Sequence, residues 1–159
     1  MKKILINTKF GGYNFSNKAA LEYLIRKGVT GITFHSVSRD KITDELVYPE
    51  ISKEQYLAQD LEEMKSYVYG AHIRINGMKF NPHEICRTDP IAIQIVEDLG
   101  SEFCDTYCSH LIVEEYDETL DCIICEYDGS EEIRQEAPLN GRSPDIYNRL
   151  LSEDDWCEL

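Results

Sequence analysis

The chain has 159 residues, 42% of them hydrophobic, and a formal net charge of −14. That length and apolar content suit one domain with its own core and exclude a disordered chain. The charge is segregated, about +2 over residues 1–96 and −16 over 97–159, a field that would repel nucleic acid and anionic membranes and favour a cationic partner.

Lys3 to Thr8 reads as a short strand, punctuated by Gly11 and Gly12. Ser16 caps a helix whose apolar face holds Ala20, Leu21, Leu24 and Ile25, with Arg26 and Lys27 at its C-terminal end and Gly28 as its stop. Val29 to Phe34 reads as a second strand and Ser36 to Glu50 as loop. Ser52, with Gln55 three residues on, forms a capping box that opens a helix through Val68, with Tyr56, Leu57, Leu61, Met64 and Val68 on its apolar side. His72 to Ile75 and Met78 to Phe80 flank Asn76-Gly77, a dipeptide suited to the positive φ values of a type I′ hairpin turn.

In the second half, Thr88 or Asp89 caps a helix with Pro90 in its first turn; Ile91, Ile95, Val96 and Leu99 form its apolar side and Gly100 its end. Leu111 to Glu115, Cys122 to Tyr127 and Glu131 to Arg134, the last two joined by Asp128-Gly129, read as an antiparallel meander carrying many carboxylates. Pro138 to Ser143 reads as a linker, Pro144 to Leu151 as a short amphipathic helix, and the remainder as an acidic, frayed end. The expected fold is α+β, with residues 1–136 as one domain of antiparallel or mixed sheet and three helices, and 137–159 as linker, short helix and acidic tail. No apolar run approaches the ~20 residues needed to span a bilayer, and Asn7 interrupts the N-terminal Ile4-Leu5-Ile6 run before a signal-peptide core can form. The protein is therefore expected to stay in the compartment where it is made, with its six cysteines reduced.

Three stretches carry a resemblance: Ile4 to Gly12 leading into the Ser16 helix, Arg87 to Gly100, and Leu111 to Glu115 through Glu126 to Glu131. Together they cover about half of the chain, and in order and spacing it resembles a family of uncharacterised small proteins encoded by tailed phages and prophages. The resemblance implies a bacterial host cytoplasm and a pool of accessory proteins that includes inhibitors of host defence. The chain departs from that pattern at Cys122 and Cys125, where the family tends to have Trp and Glu, and in a longer tail from Ala137.

Four chemical constellations are each weighed against a plainer role. Cys104, Cys108, Cys122 and Cys125, near His110, match tetrahedral zinc in number. Residues three apart on a strand point to opposite faces, so Cys122 and Cys125 could not share an ion without a bulge, and buried free thiols are the preferred reading, with no cofactor. Cys86 beside Arg87, with His83 nearby, is the one cysteine in a setting that favours a thiolate. The strand, Gly11-Gly12, helix outline, together with Arg87 and Asp89, could hold a nucleotide or other anion, against a tight turn and an ion pair between Arg87 and the meander. Finally, Glu114, Glu115, Tyr116, Glu126, Tyr127, Asp128 and Glu131 could form an acidic surface with aromatic anchors, Tyr107 among them, that engages a basic groove, against a merely solvated face. The reading chosen is a non-enzymatic accessory protein, with no catalytic residue assigned, that blocks a basic site on a host protein and binds no nucleic acid directly. The anion binder or enzyme is the first alternative and a virion component the second.

Overall fold

β1 (Lys2–Asn7) holds the continuous run Ile4-Leu5-Ile6, rather than an alternating one, because both of its faces are covered. The computed structural model describes residues 1–63 and 70–150. In it β1 pairs antiparallel with β8 (Leu111–Tyr116), from Lys2 opposite Tyr116 to Asn7 opposite Leu111. On one side Leu5, Leu111 and Val113 join the main core with the helices. On the other, Ile4 and Tyr116 meet Cys122 and Ile124 of β9 (Asp121–Tyr127) in a smaller cluster.

Three helices cover the first side. α1 (Asn17–Arg26) starts where the Ser16 hydroxyl accepts from the Ala19 N–H at 3.1 Å, and it buries Ala19, Ala20, Leu21, Tyr23 and Leu24. Ile25, expected on that face, is exposed, and Tyr23 takes the inward position. α2 (Lys53–Glu63) opens with the expected reciprocal box: the Gln55 amide accepts from the Ser52 N–H at 2.9 Å, and the Gln55 N–H donates to the Ser52 hydroxyl at 3.1 Å. The rest of the expected helix, with Met64 and Val68, lies outside the described residues. α3 (Pro90–Leu99) begins at Asp89, whose carboxylate accepts from the Ile91 and Ala92 N–H groups. Gly100, at φ 85°, leads directly into the short α4 (Ser101–Cys104).

A second sheet has the order β5 (Glu50–Ile51), β2 (Ile32–His35), β6 (His72–Ile75), β7 (Met78–Phe80), with β6 and β7 joined through Asn76 and Gly77 at φ 50° and 83°. Between β2 and β5, the expected loop contains a small hairpin of β3 (Ser38–Arg39) and β4 (Leu46–Val47). Phe34, Ile73 and Ile75 face the core from this sheet. Thr33, His35, His72 and Arg74 occupy the opposite face, where the rings of His35 and His72 stack at 5.7 Å. His72 Nε2 accepts from Arg74 Nε at 3.1 Å.

The third sheet corrects the expected helix at Pro144–Leu151. Ile146–Leu150 is instead a strand, β11, parallel to β9 with Ile146 opposite Cys122, while β10 (Ser130–Glu136) pairs antiparallel on the other side of β9. The reason lies outside the segment. The buried carboxylate of Asp121 binds the Arg142 guanidinium through both oxygens and accepts from the Asp145 N–H, and the Asp145 carbonyl accepts from Cys122 N–H at 2.9 Å, so β11 is set beside β9 before a helical turn can start. The described chain is thus one α+β fold. Among the described residues no helix is long and apolar enough to cross a membrane.

Two outcomes follow. Asp121→Ala should lower stability by about 1–3 kcal/mol and raise amide exchange along β11 before the rest of the fold. His72 is held neutral, its pKa lowered to about 4 by burial first and then by Lys79, Arg74 and His35. Its unfolded form protonates near pH 6.5, so its contribution is complete above that value and is lost as pH falls towards 4. The urea midpoint of the wild type, taken relative to His72→Phe, should fall across that window, and a constant difference would refute the assignment.

Candidate functional site

Asn7, fully buried at the end of β1, ties its own strand end to two distant segments. Its side-chain amide donates to the carbonyls of Lys9 (2.7 Å) and Gly129 (2.8 Å), and its Oδ1 accepts from the His110 N–H at 2.8 Å. Its backbone N–H donates to Glu131 Oε1 at 2.7 Å. Glu131 is only 4% exposed and receives both terminal nitrogens of Arg87 at 2.6 Å, a bidentate pair. The guanidinium also lies 4.1 Å from the centre of the Tyr13 ring. Burial raises the Tyr13 phenol well above its ordinary pKa, and its hydroxyl donates to the Ile85 carbonyl.

The glycine turn is pressed into this junction. A Cβ on Gly11 would stand 2.4 Å from the Cβ of Cys108, and one on Gly129 would stand 2.5 Å from the backbone nitrogens of Gly11 and Gly12. The Gly11 N–H donates to the Asp128 carbonyl at 3.3 Å. Gly11, Gly12 and Arg87 therefore do meet around the segment 128–131, but as partners of the protein itself. The anion site built from them is corrected on that ground: the Arg87 fork is filled by Glu131, and the glycine turn packs against a second turn. Asp89 stands apart, capping α3 and accepting from the Tyr23 hydroxyl (2.7 Å) and the Lys27 ammonium (3.4 Å).

The expected acidic surface is also divided. Glu131 faces inward because the pleat of β10 puts it on the same side as Ile133, towards β1, and Tyr116 is buried in the smaller cluster for the same reason on β8. Glu114 and Glu115 point to opposite faces, and Glu126 lies opposite Glu131, half-buried. On the outer face of the third sheet, Arg134 and Arg149 stand among Glu132 and Glu136, so that face carries mixed charge.

Two exposed rings, Phe10 and Tyr107, lie at the junction, with Tyr127 half-buried beside Phe10. Phe10 is 61% exposed and meets Tyr127 edge-on, with ring centres 6.5 Å apart. Tyr107, 48% exposed, has the Lys9 ammonium over its ring at 5.9 Å. Asp128 is exposed beside Tyr127 at the hairpin turn, with φ 48°. Phe10 was absent from the sequence-based set; a large apolar side chain directly before two glycines was the signal for it.

The four cysteines separate. Cys104 is buried in the main core, its thiol pushed up to about 12 by burial and by Asp105; Cys122 is in the smaller cluster; Cys125 is buried on the opposite face of β9; and Cys108 touches Gly11. Among the described residues no three His, Cys, Asp or Glu side chains are placed to hold a metal ion. His110 pairs instead with Asp105, Nδ1 to Oδ2 at 2.5 Å. Cys86 is exposed, its sulfur 3.3 Å from the Thr88 hydroxyl. No family model matches the chain, nor does any curated protein or solved structure.

Removing Arg87 would leave the Glu131 charge buried and unpaired. Arg87→Ala is expected to cost about 3–5 kcal/mol in urea unfolding, and Arg87→Lys to restore only part, since an ammonium cannot match both carboxylate oxygens.

Proposed function

We propose that the protein acts by binding rather than catalysis, as an accessory protein of a phage or prophage that occupies a basic site on a host protein in the bacterial cytoplasm. The observation that carries this reading is the pair of exposed rings, Phe10 and Tyr107, with the half-buried Tyr127 edge-on to Phe10, on backbone pinned by Asn7 and by the packed glycine turns beside Asp128. Aromatic groups on a rigid base give contact area with little ordering entropy to lose, which is why interface hot spots favour them. The flanking Glu126 and Asp128, within a chain of net charge −14, add long-range attraction for a cationic surface and speed its approach.

The acidic component is steering and the aromatic component is grip, so the two separate experimentally. Capture from host lysate should weaken as salt rises, because exposed charges are screened beyond ~10 Å at 0.1 M. Phe10→Ala combined with Tyr127→Ala should abolish retention of the same partner at low salt while leaving the fold intact. Capture that ignores both salt and these substitutions would sink the proposal.

A further inference from the structure

A cleft of about 350 Å³ opens at the end of the second sheet, where β6 begins and β7 finishes, between that edge and the loops around residues 14–17 and 106–108. Its volume is in the range of sites that enclose a small molecule. Phe15, Tyr56, Phe80 and Tyr107 contribute aromatic walls. Lys79 in β7, Asn81 just after that strand and His83 in the following 3-10 turn (Pro82–Glu84) bring polar groups to it. Among the described residues no aspartate or glutamate lines it, although the chain contains 30 of them. In a protein of net charge −14, Lys79 stands here without a salt-bridge partner among the described residues.

A second observation concerns His72, which forms part of the cleft wall and is 8% exposed. Because its Nε2 accepts from Arg74, the neutral ring carries its proton on Nδ1. That nitrogen is buried with no hydrogen-bond partner among the described residues. A buried donor without an acceptor is uncommon in folded proteins and calls for an explanation such as a missing ligand or water.

We infer that this cleft binds a nucleoside monophosphate, with the flat base between the aromatic walls and the phosphate at Lys79 and His83. Aromatic faces stack any base. The Asn81 and Asn14 amides can donate to and accept from a base edge, since each carries both functions. Lys79 supplies a point charge for the phosphate, and His83 a donor that strengthens when protonated. The site is independent of the aromatic platform's proposed role in partner binding, although Tyr107 borders both.

The test uses the full chain and calorimetric titration with the four ribonucleoside monophosphates, their nucleosides, inorganic phosphate and a single-stranded oligonucleotide. At least one monophosphate should bind one-to-one and raise the melting temperature, with its nucleoside and inorganic phosphate each weaker by about tenfold or more. Lys79→Ala with His83→Ala, both at exposed positions, should weaken binding by about tenfold at an unchanged melting temperature of the free protein. The bound nucleotide should slow iodoacetamide modification of Cys108, which lines the cleft, and leave that of the exposed Cys86 unchanged. Failure of all four monophosphates to bind at millimolar concentration would overturn the inference. So would affinity indifferent to the double substitution, unprotected Cys108, phosphate binding as tightly as the nucleotide, or tighter binding of the oligonucleotide.

Discussion

The Glu131 carboxylate, buried between Arg87 and the backbone of Asn7, is the constraint from which the rest of the arrangement follows. A charge in that position is tolerable only if both oxygens are engaged, and they are: a planar guanidinium takes one edge and a backbone N–H adds a third bond. The consequence is geometric. β10 is fixed against the end of β1, and the start of α3 against β1 through the bond from Leu5 N–H to the Arg87 carbonyl at 2.8 Å. The two glycine turns are brought so close that a side chain on Gly129 would overlap the backbone of Gly11 and Gly12.

From this junction the two layers diverge. β1 and β8 serve as a shared wall, with helices packed on one side and the third sheet on the other. The surface over the junction inherits its rigidity, which is what distinguishes Phe10 and Tyr127 from scattered exposed apolar residues. The cleft lies at the open end of the second sheet, meets the junction at Tyr107 and Cys108, and has no carboxylate in its lining among the described residues. Charge in this molecule is therefore organised at three scales, as a buried pair, a mixed outer face and a carboxylate-free hollow.

Features governed by neighbours in sequence were legible. The Ser16 and Asp89 caps, the Ser52–Gln55 box and the Asn76-Gly77 turn each depend on atoms within three residues, and each stands as read. Ile146, Tyr147 and Leu150 fit a helical face as well as a strand, and the deciding contact is with Asp121, 24 residues before Asp145. The ion pair between Arg87 and the meander was legible, but which carboxylate takes it, and that Glu131 is buried in doing so, was not, because the two residues lie 44 positions apart. The cleft had no sequence signature, since six separate segments supply its walls.

The place of β1 in the fold has a consequence for synthesis on the ribosome. β1 leaves the exit tunnel well before β8, beginning at Leu111, can complete it and before Glu131 can lock it. At elongation rates of roughly 5–20 residues per second, Ile4, Leu5 and Ile6 wait several seconds or more for their neighbours. The nascent chain thus carries an unpaired apolar strand until β8 has been made, a condition that favours chaperone engagement during synthesis over autonomous vectorial folding.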